Sequence, residues 1–463
     1  MTKHHEPHEH PKSHLHRAAS MTTSADLAIT DLGQARIPSP VGNLLGENAM
    51  HYVGEADKVL LDNRLSALGT HRGLIAELPA FELAGPRNRI FFEPAKTRVG
   101  IVTCGGLCPG LNNVVRGIAY ELWHSYGVRD IVGYRYGYEG LCPKYGHKPL
   151  RLDPDTIATI HHQGGTVLGS SRGRQEATET VDFLQADKTD ILFVVGGDGT
   201  LRGAMAIAEE ARKRKARIAV VGVPKTIDND IMFIDRSFGF ETAFTACSDV
   251  IRSALVEARG ARNGVGLVKV MGRHSGFIAC HAALASTDVN AVLIPEVPIH
   301  LESFLAWLEN HLASHGNAVI LVAEGAGQDL CAAGDLGTDA SGNKKFHDIG
   351  PWLRDKINAH FKAKKTELNL KYLDPSYHIR SVPASPADSV YCWNMARNAV
   401  HAAMAGNTMM LIGRWHGRFV HVPMALATRE RKQVDATGDL WMSVVEATGM
   451  PVSFGPVKAA ARC

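Results

Sequence analysis

The sequence lacks the long apolar runs and the excess of charge that mark membrane proteins and nucleic-acid-binding proteins. No apolar run approaches the roughly 20 residues that a membrane-spanning helix needs, and the amino terminus carries no apolar segment of a secretory signal. The net charge is only +3 over 463 residues, with no basic run longer than residues 212–215. We therefore expect a cytoplasmic protein with neither a membrane nor a nucleic acid as its partner.

Cysteine is scarce, and its placement excludes a common metal site. The eight cysteines are scattered through the chain, several of them inside apolar runs. Cys104 and Cys108 have a spacing that does not suit a zinc knuckle, and no second pair completes one. We expect reduced thiols, as is usual in a cytoplasm.

Two widespread nucleotide-binding motifs are missing as well. The chain has no Gly-Lys-Ser/Thr phosphate loop. The glycines after Val195 also miss the dinucleotide fingerprint, because Gly203 comes one residue too late and an acid occupies the variable position. A nicotinamide-dependent dehydrogenase is therefore a weak interpretation.

Length and composition indicate an ordinary globular protein with several lobes. A chain of 463 residues is about three times the typical domain size, and its 45% hydrophobic content supplies ample core material. From Arg98 onward, short apolar strands alternate with helical patterns. This alternation predicts an α/β protein with two doubly wound, three-layer (Rossmann-like) lobes, parallel-rich sheets and an N-terminal extension, with ligands at the carboxyl ends of the strands.

The hydrophobic pattern places the elements as follows. Strands are predicted at residues 99–104, 131–134, 191–195, 218–223, 266–270, 291–294 and 318–322. Helices are predicted at about 201–213, 240–258, 276–286 and 302–314, and a further helix follows the glycine loop at 105–113. After about residue 348 we expect mainly helix, including one over 386–405 that Ser385 caps. Its predicted apolar stripe consists of Val390, Trp393, Ala396, Val400 and Met404.

The stretch from Ile191 to Thr200 is the clearest candidate for a functional site. Five apolar residues predict a buried strand, and Gly196-Gly197-Asp198-Gly199-Thr200 follows it directly. Thr200 is expected to cap the next helix, whose first N–H groups would then face an anion. With Asp198 as an oxygen ligand for Mg²⁺, the pattern indicates a place for metal-bound phosphate. A tight strand-to-helix connection would need similar glycines, so both interpretations stay open on this stretch alone.

Three further stretches at or after predicted strand ends have the same chemistry. Residues 105–110 form a glycine loop whose N–H groups could hold phosphate, and residues 169–174 offer serine hydroxyls and two guanidinium groups. Residues 224–230, Pro-Lys-Thr-Ile-Asp-Asn-Asp, follow a buried strand at once, which favours function over simple turn chemistry. Such parts support phosphoryl transfer to an alcohol, with Asp228 as the best candidate for the base.

Five motifs in a fixed order resemble the signatures of the 6-phosphofructokinases. They are GGLCPGLN at 105–112, GDGT at 197–200, PKTIDND at 224–230, MGRHSG at 271–276 and DPSYHIR at 374–380. Order and approximate spacing match over about residues 98–420. The GGDGT string is shared with lipid and NAD kinases, whereas PKTIDND and MGRHSGF together are highly specific. The glycine loop and the long extension resemble the plant-like and protozoan-like branch, which is related to pyrophosphate-dependent enzymes but often uses ATP.

The resemblance implies phosphorylation of fructose 6-phosphate at its 1-hydroxyl by MgATP, the committed step of glycolysis. It also implies an allosteric, cytoplasmic homodimer or homotetramer. The residues implied in catalysis are Asp228 as proton acceptor, with Thr226, Asp230, Lys225 and Arg273 beside it. Those implied for the nucleotide are Gly105, Arg172, Gly173, Gly197, Asp198 (with Mg²⁺), Gly199 and Thr200.

A further set of residues is implied for fructose 6-phosphate. It consists of Thr226, Ile227, Asp228, Met271, Gly272, Arg273, Glu324, Lys371, Tyr377, His378, Ile379 and Arg380. Arg380 would fork onto the 6-phosphate, while Lys371 stands where bacterial relatives have an arginine and would make a point-charge contact. Gly264 falls where those relatives donate an arginine from a neighbouring subunit.

Composition and the resemblance together divide the chain. We expect a disordered His-rich tail at 1–23, an extension at 24–97 and a nucleotide lobe at 98–239 that part of about 381–430 completes. A fructose 6-phosphate lobe at 240–380 and a C-terminal segment at 431–463 make up the rest.

Two residues bear on the phosphoryl donor and point in opposite directions. In relatives that use pyrophosphate, the residue at the position of Gly199 is usually aspartate, which would repel the α-phosphate of ATP by roughly a few kcal/mol. Lys225, in contrast, is the pyrophosphate-type residue. Because lysine tolerates ATP and aspartate does not, Gly199 favours ATP. A pyrophosphate-dependent enzyme is the first alternative, and a catalytically silent regulatory paralogue is the second, although Asp198 and Asp228 are both present.

Overall fold

A computed structural model describes residues 18, 21–42, 52–65, 68, 77–173, 175–331, 334, 336–338 and 344–455. Most of the predicted His-rich tail and the position of Arg174 lie outside these residues. The strands of the described chain are β1 Thr30–Asp31, β2 Ile37–Pro38, β3 Lys58–Leu60, β4 Ala80–Glu82, β5 Arg89–Ile90, β6 Arg98–Thr103, β7 Asp130–Gly133, β8 Leu150–Arg151, β9 Ile191–Gly196, β10 Ala219–Pro224, β11 Gly264–Val270, β12 Ala291–Leu293, β13 Asn317–Ala323, β14 Asn369–Leu373, β15 Asn407–Thr408, β16 Met410–Trp415 and β17 Arg418–Pro423.

The helices come mainly between these strands. They are α1 Leu111–Tyr120, α2 Ala177–Ala186, α3 Asp198–Lys213, α4 Phe240–Arg259, α5 Phe277–Ser286, α6 Leu301–His315, α7 Gln328–Cys331, α8 Ile349–Ala363, α9 Ser376–Ser381, α10 Pro386–Met404, α11 Met424–Ala427 and α12 Asp439–Thr448. A π-helical turn, Glu121–Tyr126, continues α1. Short 3-10 helices lie at Ser24–Leu27, Pro94–Lys96, Gly137–Leu141, Pro143–Tyr145 and Ile160–His162.

The larger of the two main sheets has seven strands, in the order β17-β16-β10-β9-β6-β7-β8. Its strands β16, β10, β9, β6 and β7 run parallel, and the two edge strands pair antiparallel to their neighbours. Every residue of β9 and β10 is buried. This burial follows from apolar runs with no polar alternation, because helices cover both faces of a parallel sheet.

The smaller main sheet has four parallel strands, in the order β12-β13-β11-β14. Helix α4 lies close to β11, where Gly266 leaves no room for a side chain: a Cβ there would lie 2.8 Å from Cβ of Ala254. The two sheets with their helices confirm the predicted α/β class with parallel-rich lobes. The division of the chain into functional units stays a prediction.

The N-terminal extension packs onto the large-sheet body. β1 pairs with β15, and Leu83 bridges to Val420 on β17. The ring of Phe81 makes edge contacts with Phe233 and Trp415, at centroid distances of 6.0 Å each. The extension therefore supports the loop that follows β10.

The start of α3 differs from the prediction. The helix begins at Asp198 and not at residue 201, with Gly197 at the N-cap position in an extended conformation. Thr200 therefore lies inside the first turn, where its side chain packs against Gly196, which has no room for a Cβ. The expected capping role of Thr200 is wrong, and Asp198 takes the favourable place of a carboxylate in the first turn.

The predictions for the last third of the chain are partly wrong. Ser385 does cap α10, since its hydroxyl accepts from the N–H of Asp388 at 3.2 Å. Val390 and Trp393, however, are 63% and 39% exposed, because the buried face of the helix runs through Asp388, Tyr391, Cys392 and Met395. The strand β14 and the hairpin of β16 and β17 also lie where mainly helix was expected.

Two further predictions from composition concern the state of the thiols and the absence of a membrane-spanning helix. Seven cysteines of the described chain are free, and all seven are buried. None of the described helices combines the length and the apolar character that crossing a bilayer requires.

Candidate active site

A cleft of about 770 Å³ lies where the carboxyl ends of the large-sheet strands face the small-sheet body. Segments after β6, β9 and β10 form one wall, and residues after β11 and β13 form the other. The structure brings most of the implied site residues to this cleft, namely Gly105, Arg172, Gly173, Gly197, Asp198, Gly199, Thr200, Lys225, Thr226, Ile227, Asp228, Asp230, Met271, Arg273, Glu324 and Arg380.

Asp198 is held between two guanidinium groups. Its Oδ1 accepts from Nε of Arg202 at 3.1 Å, one helical turn later, and its Oδ2 lies 3.5 Å from Nη2 of Arg431. The next residue, Gly199, is exposed, and a Cβ built there would meet no atom within 4 Å. The fold therefore does not require glycine at this position, and the cleft beside Asp198 stays open.

The glycine loop after β6 lies over a buried lysine. Gly105 has φ +83°, a conformation that favours glycine, and its carbonyl accepts from the hydroxyl of Ser170 at 2.6 Å. Nζ of Lys225 donates to the carbonyl of Gly106 at 2.6 Å. Burial lowers the pKa of Lys225, although the thiols of Cys108 and Cys104 and then the carboxylates of Asp228 and Asp230 oppose this shift. The lysine thus fixes the loop from below and places a cation beneath it.

Two carboxylates of the loop after β10 have contrasting surroundings. Both oxygens of Asp230 are engaged, since its Oδ1 accepts from the hydroxyl of Thr226 at 2.6 Å and its Oδ2 from Nη1 of Arg431 at 2.7 Å. Oδ2 of Asp228 accepts from the backbone N–H of Arg273 at 3.2 Å, while Oδ1 is buried with no hydrogen-bond partner within the described residues. Asp228 therefore keeps one oxygen available for a ligand.

The pKa of Asp228 is raised. Burial is the largest cause, because it disfavours the charged form, and the nearby carboxylates of Asp230 and Glu324 raise the pKa further. The backbone N–H of Arg273 and the charge of Arg431 act in the opposite direction. A carboxylate with a raised proton affinity and one unpartnered oxygen suits a general base.

The small-sheet side of the cleft carries further charged groups. The guanidinium of Arg273 lies 4.6 Å from the ring centre of Phe346 and donates to the carbonyl of Lys344. Glu324 follows β13, and burial raises its pKa. Arg380 lies with its guanidinium 4.5 Å from the ring centre of Tyr377.

Five of the implied residues do not line this cleft: Gly272, Lys371, Tyr377, His378 and Ile379. Lys371 and His378 are exposed, Tyr377 is 75% exposed, and Ile379 belongs to the core. Gly272 shapes the turn before Arg273, with φ +127° and a carbonyl oxygen of Ser275 where a Cβ would lie. Direct ligand contacts of these five residues stay a prediction.

The cleft also contains residues that sequence reasoning missed. Beyond Gly199 it continues along the surface of α3, where it is lined by Tyr138, Gln175, Thr180, Arg202, Gly203, Met205, Ala206 and Glu209. Tyr138 donates its hydroxyl to the carbonyl of Thr200 at 2.6 Å, which fixes this part of the wall. Arg431 also lines the cleft without having been predicted, and no motif in the sequence around it signals a role.

The donor set suits a single divalent cation held together with ligand oxygens. Among the described residues there is no group of three or more His, Cys, Asp or Glu placed to hold a metal. Mg²⁺ is commonly bound by one or two carboxylates together with phosphate oxygens and water. Asp198 and Asp230 fit that pattern, since both carboxylates already share one positive group, the guanidinium of Arg431.

Comparisons with known proteins agree on one family. The family described as Phosphofructokinase matches residues 98–403. The chain is 50% identical over 448 residues to the ATP-dependent 6-phosphofructokinase of Amycolatopsis methanolica, covering 94% of this chain and 97% of that one. It is 44% identical over 438 residues to the ATP-dependent 6-phosphofructokinase of Trypanosoma brucei brucei, with coverage of 94% and 89%.

Solved structures show the same fold at low identity. A pyrophosphate-dependent phosphofructokinase from Marinobacter aquaeolei superposes with a TM-score of 0.63 at 19% identity, covering 78% of this chain and 94% of that one. The phosphofructokinase of Pichia pastoris in the T-state gives a TM-score of 0.58 at 21% identity, covering 80% and 41%. At these identities the likeness concerns the fold alone.

Proposed function

The chain belongs to the phosphofructokinase family, and we propose that its cleft transfers the terminal phosphoryl group of MgATP to the 1-hydroxyl of fructose 6-phosphate. The products are fructose 1,6-bisphosphate and ADP. Support comes from relatives at 44–50% identity that carry the name ATP-dependent 6-phosphofructokinase over nearly the whole chain. It also comes from the paired chemistry of the cleft, with cations on one side and a basic carboxylate between the two walls.

The proton of the acceptor hydroxyl goes to Asp228. Its Oδ1 has no partner among the described residues, and its raised pKa means that the carboxylate gains a proton readily once the hydroxyl begins to attack. The backbone N–H of Arg273 holds Oδ2 and so fixes the direction of the free oxygen. This arrangement is the single observation that carries the reaction type.

Asp198, with Asp230 next to it, would hold a magnesium ion together with phosphate oxygens of the donor. When bound, the ion neutralises the charge on the phosphates and so favours departure of the leaving group. The glycine loop at 105–110 offers backbone donors to the same phosphates, and Lys225 adds a positive charge below them.

ATP is favoured over pyrophosphate by the shape of the cleft as well as by Gly199. Pyrophosphate would need only the phosphate-binding part. The cleft continues past Gly199 between α2 and α3, where Gln175, Met205 and Glu209 line a mixed polar and apolar slot. A nucleoside attached to the phosphates would occupy this slot, while Lys225 remains the residue that favours the pyrophosphate alternative.

On the acceptor side, Arg273 and Glu324 line the cleft, and Arg380 lines it with its guanidinium next to the glycine loop, where a Cβ on Gly106 would lie 3.9 Å from Nη1 of Arg380. Glu324 suits a sugar hydroxyl, because a carboxylate accepts hydrogen bonds, and Arg380 suits the 6-phosphate. We also infer a cytoplasmic homodimer or homotetramer by analogy with the family.

A coupled assay for fructose 1,6-bisphosphate tests the proposal. The full-length protein is supplied with fructose 6-phosphate and either MgATP or Mg-pyrophosphate at equal concentrations. We expect turnover with MgATP of about 1–100 s⁻¹ and much slower turnover with pyrophosphate. Faster turnover with pyrophosphate would overturn the choice of donor. Absence of product with both donors, for a protein that still binds ATP, would favour the silent paralogue.

A further inference from the structure

Residues 429–455 lie beyond the part of the chain that matches the family. They comprise the described part of the C-terminal segment predicted at 431–463 together with the two residues before it, and the name C-terminal segment is used for 429–455 below. On one side this segment is attached to the loop after β10. Arg431 forms a β-bridge with Ile231, and the N–H of Lys432 donates to the carbonyl of Asp230 at 2.8 Å. The buried Nζ of Lys432 donates to the carbonyl of Ile234 at 2.8 Å. These contacts fix the backbone at Arg431 relative to the catalytic loop.

On its other side the C-terminal segment is attached to the small-sheet body. The N–H of Val434 donates to Oε1 of Glu296 at 2.8 Å, and the carbonyl of Phe454 accepts from the N–H of His300 at 2.6 Å. The backbone at Arg431 is thus attached directly to the loop after β10, and three residues later, at Val434, the chain is attached to the small-sheet body. The part of Arg431 that can move is its side chain, which lines the cleft and is one-third exposed.

The guanidinium of Arg431 occupies the position between the two carboxylates that suit a metal. Nη1 lies 2.7 Å from Oδ2 of Asp230, and Nη2 lies 3.5 Å from Oδ2 of Asp198. A divalent cation on Asp198 would repel the guanidinium at this distance, since both are positive. The longer of the two contacts is the one that a metal would replace.

We propose that Arg431 is a catalytic residue of the phosphoryl transfer, stored between Asp198 and Asp230 in the free enzyme and turned onto the donor's phosphate oxygens when a divalent cation binds Asp198. This inference rests on the proposed function. A planar guanidinium fits two phosphate oxygens at once, and charge in the transition state is spread over the oxygens of the transferring group. The segment would then supply a cation from within the same chain.

The competing explanation is a purely structural clamp, in which Arg431 only holds Asp230 in place. The two explanations predict opposite changes in metal affinity when Arg431 is replaced. Loss of a clamp disorders the carboxylates and weakens both metal and nucleotide. Loss of a stored cation frees Asp198 for the metal, so metal alone binds more tightly, while the nucleotide loses a phosphate contact and binds more weakly.

The test compares Arg431→Gln with Arg429→Gln in the full-length protein. Arg429 is a matched control because it lies two residues away in the same segment and pairs with Asp26 at 2.9 Å, outside the cleft. Binding of Mn²⁺ alone is followed by electron paramagnetic resonance, and binding of MgATP by calorimetry without the sugar. We expect Arg431→Gln to bind Mn²⁺ about three- to tenfold more tightly and MgATP at least about tenfold more weakly. The control should match the wild type in both.

Mn²⁺ binding that is unchanged or weaker in Arg431→Gln would overturn the proposal, and so would unchanged MgATP binding. Turnover should fall about 10²-fold in Arg431→Gln, as for loss of a preorganised charge. Arg431→Lys keeps the charge without the fork, so it should keep wild-type Mn²⁺ binding and recover only part of the turnover. If Arg431→Gln does not fold, Arg431→Lys with full turnover is the overturning result. Failure of the proposed function is separate, because the wild type itself would then make no fructose 1,6-bisphosphate.

Discussion

The two halves of the cleft differ in how far polar contacts already hold their functional side chains. In the half next to the large sheet, the donor half, the functional side chains are already engaged: Asp198 with Arg202 and Arg431, and Lys225 with the glycine loop. In the half next to the small sheet, the acceptor half, Arg380 lies over an exposed tyrosine and Lys371 lies on the surface. From this difference we infer that the side chains proposed to bind the donor phosphates are already positioned, whereas Lys371 and Tyr377, which are proposed for the acceptor phosphate, lie exposed.

Asp228 belongs to both halves. It is carried by the loop after β10, yet its Oδ2 is held by the backbone of Arg273 from the other wall. The position of its free oxygen therefore depends on both halves being in place. Changes at or near Asp228 are expected to have the largest effects, and changes at the exposed rim of the acceptor half the smallest.

The largest effect is predicted for Asp228→Asn, which removes the proposed base and keeps the shape of the side chain. Turnover should fall by about 10²-fold or more, with a smaller change in fructose 6-phosphate binding. The variant should be as stable as the wild type or more stable at neutral pH. The reason is that a folded-state pKa above the unfolded one makes the charged carboxylate cost stability as pH rises past the usual carboxyl range. Steady-state rates and thermal unfolding measure both, and near-normal turnover would remove Asp228 from the mechanism.

A second prediction tests whether the donor half selects the donor. Gly199→Asp should lower kcat/KM for MgATP by about 10- to 10²-fold, since a like charge near the α-phosphate costs a few kcal/mol. Gly199→Ala is the matched control, because a Cβ at this position meets no atom within 4 Å and adds no charge. Alanine should therefore keep most of the ATP activity. Equal losses in both variants would show that bulk or backbone, and not charge, governs the donor.

The sequence predicts the residues of the donor half more completely than those of the rest of the cleft, and the reason is physical. Asp198 and Asp228 follow adjacent buried parallel strands, and such strand ends meet at one edge of a sheet, so local pattern predicts their proximity. Arg431 is 201 residues from Asp230 in the chain and follows no strand or motif, so only the fold reveals their contact.

The missed elements have equally local causes. The hairpin of β16 and β17 turns through His416 and Gly417, both with positive φ, in place of the usual Asn-Gly pair that signals such a turn. Strand β14 has no fully buried residue, so it shows no apolar run. The predicted start of α3 was late because a threonine that packs inside a first turn has the same sequence appearance as one that caps it.

A third prediction concerns the charge that the acceptor half places near the base. In the pH profile of kcat/KM, the fall on the acidic side (the acidic limb) should lie at a pH well above the ordinary carboxyl range. The reason is that Asp228 must be charged to accept a proton and its pKa is raised. Glu324→Gln removes one of the negative charges that raise this pKa, so the limb should move to lower pH, whatever the loss in absolute rate. Glu209→Gln, on the donor side of the cleft, is the control and should leave the limb in place. A limb that stays put in Glu324→Gln would assign it to another group.

The smallest effect is predicted at the rim of the acceptor half, where Tyr377 is 75% exposed and its ring lies 4.5 Å from the guanidinium of Arg380. Tyr377→Ala removes a surface cation–π contact of about 0.5–1 kcal/mol, so KM for fructose 6-phosphate should rise about two- to fivefold with little change in kcat. Tyr145→Ala is the control, since that tyrosine is also exposed and carries a lysine, 5.4 Å from its ring centre, outside the cleft. A far larger rise, on the order of a hundredfold, would mean that Tyr377 contacts the substrate directly. The side chains of the acceptor half would then be as well positioned for their ligand as those of the donor half.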